Sequence, residues 1–73
     1  MDERRVTDVR RFPGEVVPGV RLAMWTEEGE AGFGVLAQDV QRIHPNIVTE
    51  GADGFLRVNF LKLAQYAGWV VPV

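Results

Sequence analysis

The 73-residue chain has no cysteine, no serine, one histidine and one lysine. Each shortage closes off a class of function. Without thiols there is no disulfide framework. A structural zinc site takes four Cys or His ligands, and His44 is the sole residue of either kind. Without serine the commonest hydroxyl nucleophile is missing. No apolar run approaches the roughly 20 residues a bilayer span needs. The N-terminus, Met1-Asp2-Glu3-Arg4-Arg5, is charged with no apolar stretch behind it, unlike a signal peptide. A net charge of −2 gives no long-range pull on nucleic acid, so free, specific nucleic-acid binding is not expected.

What remains has the composition of an ordinary folded domain, 47% hydrophobic and 25% charged. A chain this short hides only about 60% of its unfolded surface and holds one domain. Residues 1–68 are read as that domain, and 69–73 (Trp69-Val70-Val71-Pro72-Val73) as an apolar tail. Such a composition favours binding over catalysis.

Arg4–Arg11 carries β-branched Val6, Thr7 and Val9, which predict an extended segment with Arg4, Val6, Asp8 and Arg10 on one polar face. Phe12-Pro13-Gly14 is expected to end it. From Val20 to Thr26, Val20, Leu22 and Met24 alternate with Arg21, Ala23 and Trp25, a strand period. Glu27-Glu28-Gly29-Glu30 turns that strand into a hairpin whose second arm begins near Gly32-Phe33-Gly34. Leu36, Val40 and Ile43 form a helical stripe, with Gln38, Asp39, Gln41 and Arg42 off it, and Pro45 forces the exit. Ile47–Glu50 and Phe55–Val58 flank Gly51-Ala52-Asp53-Gly54 as a second hairpin. Asn59 caps a last helix with a stripe of Phe60, Leu63, Ala64 and Ala67, stopped by Gly68. The order predicts a single small α+β domain, short antiparallel strands and hairpins packed with two short helices.

The block Gly34-Val35-Leu36-Ala37-Gln38-Asp39-Val40, followed by Pro45, Val48, Asp53-Gly54-Phe55-Leu56-Arg57-Val58-Asn59-Phe60 and Leu63, resembles the endosialidase-type intramolecular chaperone domain that ends many phage tailspikes and tail fibres. The resemblance covers roughly residues 2–67. It implies a scaffold that trimerises and cuts itself from its fibre, using a Ser nucleophile and a Lys base in a Ser-Asp-x-x-x-Lys opening. Aligned on Asp2, this chain has Met1 for that Ser and Val6 for that Lys. Met has no proton to give and Val cannot accept one, so self-cleavage is not expected. A substitute Thr7–Lys62 pair has no spacing argument behind it. The family's long trimerising helix is also interrupted, by Gly68 and Pro72. Gln38 and Asp39 are either vestiges of cleavage chemistry or cap and solvate the helix, and the second reading is preferred.

Other chemistry-bearing residues have plain explanations. His44 suits the cationic end of a helix. Glu27, Glu28 and Glu30 suit a solvated turn. Gly32-Phe33-Gly34 is too short for a phosphate cradle. Arg4, Arg5, Arg10 and Arg11 form the dense basic group; as a solvated strand they do nothing, and as a docking edge they fit an acidic protein partner. Trp25 and Trp69 either fill the core or anchor a partner.

The expected function is that of a non-enzymatic, cofactor-free, free-standing phage regulator. In length and character the chain is similar to phage-encoded proteins that inhibit initiation and promote antitermination by bacterial RNA polymerase. The expected partners are host polymerase subunits, with the chain a monomer in the host bacterial cytoplasm. Arg4, Arg5, Val6, Arg10, Arg11, Trp25 and Trp69 are the expected contacts, with a partner strand added along the Val6 segment. The alternative is a C-terminal intramolecular chaperone or trimerisation domain of a tail fibre or tailspike.

Overall fold

A computed structural model describes residues 1–69; Val70–Val73, most of the expected tail, lie outside the described residues. The chain is α+β. Strands β1 (Thr7–Val17), β2 (Val20–Glu27) and β3 (Glu30–Gly34) form an antiparallel meander. Helix α1 (Ala37–Ile43) follows, then a 3-10 turn at Pro45–Ile47. Strands β4 (Val48–Glu50) and β5 (Leu56–Val58) form a separate two-stranded hairpin, and helix α2 (Phe60–Tyr66) closes the order. No helix among the described residues is long and apolar enough to cross a membrane.

The turns follow from residue chemistry. Glu28 and Gly29 link β2 to β3, both at positive φ (50° and 81°), the pattern of a two-residue type I′ turn. Gly54 stands at φ 82° in the β4–β5 connection, a conformation an L side chain resists. The Asn59 side chain accepts the Lys62 amide at 3.1 Å and so starts α2; Gly68, at φ 79°, follows its end.

One core cluster joins Val17, Val20, Val35, Val40, Ile47 and Leu63, where the β1–β2 hairpin end meets both helices. The other joins Ala23, Trp25 and Leu36, with Met1, Val6 and Val9 packed against it. Burying each large side chain contributes about 1.5–3 kcal/mol, which a domain this small needs from nearly every one.

Three expectations are corrected. Phe12-Pro13-Gly14 does not end the first strand; β1 runs through it, with a register shift between Arg11 and Glu15 that absorbs the proline. On β2 Val20 is buried as expected, but beyond it the inward residues are Ala23 and Trp25 while Met24 is 43% exposed, so over that stretch the alternation runs in the opposite phase to the expected one. At the start of α2, Phe60 is exposed and does not belong to the buried stripe that Leu63 leads.

Candidate functional site

The N-terminus is built into the fold. Asp2 is 1% exposed, and its carboxylate accepts the Arg4 amide (2.9 Å), Arg4 Nε (3.1 Å) and Arg4 Nη2 (2.7 Å). It also accepts Gln38 Nε2 and the Leu56 amide, each at 2.7 Å. The Arg4 guanidinium holds this carboxyl well below the usual carboxylate range, against the opposing effect of burial. The Met1 carbonyl takes the Ala37 amide at 2.7 Å, satisfying one of the donors a helix start leaves open. The Met1 amine donates to the Val35 carbonyl at 3.2 Å, and its burial lowers its pKa.

This knot divides the basic group. Residues Glu3–Arg5 form a 3-10 turn rather than a strand. Arg4 is spent on Asp2 and the Gly54 carbonyl. Arg4 and Arg5 each lie 5.2 Å from the centre of the Phe55 ring. Val6 packs its side chain against the second core cluster. Arg10 and Arg11 then point to opposite faces, as strand alternation requires. Arg11 crosses to the inner side, where Asp39 accepts its Nε at 2.9 Å and its Nη2 at 3.0 Å. Arg42 donates to the same carboxylate. Burial pushes the Asp39 carboxyl up, and the hydrogen bonds from Arg11 and Arg42 outweigh it, leaving it below its ordinary value. Asp39 is 3% exposed and Gln38 is bound to Asp2 and the Glu3 amide, so the reading that they solvate the helix is corrected.

Arg10 lies instead in a row that crosses the sheet, paired with Met24, which is paired with Phe33. This outward face carries Phe12, Leu22, Met24 and Phe33, around a shallow groove of about 400 Å³. Phe33 is 72% exposed. A second concavity, about 310 Å³, lies between the N-terminal turn and β5 and is bordered by Arg5, Phe55, Arg57 and Phe60.

Of the expected contacts, Arg10 and Trp69 are presented outward, and Trp69 is 56% exposed. Trp25 is not: it is 8% exposed beneath β3 and serves the core. Arg4 and Arg11 are exposed in part but already paired. Sequence reasoning missed Phe12, Met24 and Phe33. The signal for Met24 was the strand period of β2 beyond Val20, read in the wrong phase.

The buried carboxylates are saturated with donors and held ionised, which makes them anchors rather than proton acceptors. Thr7 Oγ1 reaches the Thr26 carbonyl at 3.5 Å, and His44 stacks edge-on against Tyr66 at 4.3 Å. Among the described residues no three His, Cys, Asp or Glu side chains gather as a metal site would need. The exposed features are surfaces suited to recognition: an apolar sheet face with Arg10 in its row, and the aromatic side of α2. Compared with family models, curated proteins and solved structures, the chain matches none.

Proposed function

We propose that this chain is a non-catalytic phage regulator that docks on host bacterial RNA polymerase through the outer face of its three-stranded sheet, in the host cytoplasm. The observation that carries the docking surface is the row Arg10–Met24–Phe33 with Phe12 and Leu22 beside it, on the face opposite the buried Ala23 and Trp25, with Phe12, Met24 and Phe33 exposed. Exposed aromatics around an arginine are the composition of interface centres. The choice of polymerase rests on the similarity in length and character to polymerase-binding phage proteins. Occupying a subunit surface would block initiation and alter the response of elongating polymerase to terminators.

The test uses purified bacterial RNA polymerase at physiological salt, with the chain as bait, followed by transcription across a promoter and a terminator. Retention of polymerase, lower initiation and greater read-through are expected, with all three lost in Met24→Asp. Failure to retain polymerase removes this reading.

The chaperone reading has its own support. The resembling block Gly34–Val40 meets the N-terminal residues in space, Gln38 bonding to Asp2 and Ala37 to Met1. A trimer in solution would favour a fibre chaperone domain over the regulator.

A further inference from the structure

The two edges of the three-stranded sheet differ. The β1 edge is broken by three register shifts and by Asp8 at φ 54°, devices that spoil an edge for further pairing. The β3 edge has no register shift and no side-chain-bearing residue at positive φ; only Gly34, its last residue, stands at φ 155°. Glu30, Ala31, Gly32, Phe33 and Gly34 pair in unbroken register with Glu27, Thr26, Trp25, Met24 and Ala23. There is no proline, lysine or bulge in the strand.

The turn type decides which backbone groups face outward. In a two-residue turn the flanking pair, Glu27 and Glu30, is hydrogen-bonded, and bonded pairs alternate along an antiparallel ladder. Gly32 and Gly34 therefore bond to β2. The amides and carbonyls of Ala31 and Phe33 point away from it, along an edge that no other strand pairs with among the described residues. Both residues are exposed.

We propose that this edge pairs with the same edge of a second copy of the chain, antiparallel and about a two-fold axis at Gly32. Ala31 of one copy then exchanges both backbone bonds with Phe33 of the other, and the reverse, giving four new ladder bonds. The side chains suit that register. Each large Phe33 stands opposite a small Ala31, at the roughly 5 Å spacing of cross-strand neighbours. Gly32 faces its own copy, so no side chain crowds the axis, and the Trp25 indole lies beneath it on each side. Each Glu30 faces a Gly34, which keeps the two carboxylates at opposite ends. An axis at Phe33 would set the two rings against each other, and an axis at Ala31 would run Phe33 into the partner's turn. The edge is thus complementary to itself in one register, as an isologous interface must be. The joined sheet has six strands, and the two outer apolar faces become one surface. This departs from the monomer expected from sequence, and it does not depend on the polymerase reading.

Sedimentation velocity across a concentration series of the full chain tests the proposal. The mass is expected to rise from 8.2 kDa toward twice that value as concentration increases. Phe33→Lys and Ala31→Pro should each abolish the rise with an unchanged circular dichroism spectrum, since one alters an exposed side chain and the other removes an outward amide. In the unmodified chain, exchange of the Ala31 and Phe33 amides should slow with concentration while that of other exposed amides does not. A chain that stays monomeric to roughly 1 mM, the weak end of specific association, overturns the proposal. So does a trimer, or a dimer that survives both substitutions with unprotected Ala31 and Phe33 amides.

Discussion

Arg11 grips Asp39 with two parallel hydrogen bonds, 2.9 and 3.0 Å, and so fixes the middle of β1 to the first turn of α1. The fork geometry matches a guanidinium to both carboxylate oxygens at once. Because Asp39 is 3% exposed, its charge depends on this partner. Arg11→Ala should destabilise the fold by about 2–3 kcal/mol, less than a fully orphaned buried charge costs, since Arg42 remains. Arg10→Ala, one residue away on the opposite face, should change stability by no more than about 0.5 kcal/mol. Urea unfolding of the two variants checks this; equal midpoints would show that the Asp39 pair contributes nothing.

The acid limb of stability should trace to the same kind of carboxylate. Asp2 and Asp39 both have folded pKa values below the ordinary value of about 3.9. The unfolded chain therefore binds protons more readily, and stability falls as pH drops. Their contribution is complete above about pH 5 and is lost progressively below the unfolded pKa as the folded carboxyls take protons. Asp2→Asn should lower stability at neutral pH and flatten the loss between about pH 5 and 2. Urea midpoints across that range measure it, and an unchanged acid slope would assign the loss to other groups.

Glycine at position 32 is a steric requirement. A Cβ there would fall onto the Trp25 indole, a buried ring with no room to yield. Gly32→Ala should cost about 1–3 kcal/mol. Gly14→Ala, in the irregular middle of β1, meets nothing within 4 Å and should be close to neutral. Thermal melts of the pair separate a packing constraint from the general loss of glycine flexibility, which would move both alike.

Much of this architecture was legible in the residues. Asn59, Gly54, Gly68 and the Glu28-Gly29 turn act through local backbone chemistry, and local chemistry is written in sequence. So the hairpins and both helices could be placed. The facing of β2 beyond Val20 could not, because Leu22 and Met24 continue the period of the buried Val20 and look more apolar than Arg21 and Ala23. The bulk of one indole, packed across two glycines of β3, outweighs them. Asp2 and Asp39 were also illegible as buried anchors: Arg4 and Arg42 are near in the chain, but the Leu56 and Gln38 donors to Asp2 lie 54 and 36 residues away and the Arg11 fork on Asp39 lies 28 away. The surface was misread for the same reason. Arg4, Arg5, Arg10 and Arg11 are neighbours in the chain, but a 3-10 turn and a strand's alternation send them to different places.

The two tryptophans, equivalent candidates by sequence, should separate cleanly under substitution. Trp25 is 8% exposed, and removing its indole leaves a cavity against Ala23 and Leu36 and uncovers the glycines of β3. Trp25→Ala should cost about 3–5 kcal/mol, a large share of the stability of so short a chain. Trp69 is 56% exposed, and its amide, not its ring, bonds back to the Ala64 carbonyl at 2.9 Å. Trp69→Ala keeps that bond and should shift stability by less than about 1 kcal/mol. Tryptophan fluorescence gives the matching optical test. The Trp69→Ala chain, reporting Trp25 alone, should emit at shorter wavelength and resist iodide quenching, with both properties lost on unfolding. If instead Trp25→Ala melts like the unmodified chain, the second core cluster does not hold the sheet to α1, and the outward assignment of Met24 and Phe33 falls with it.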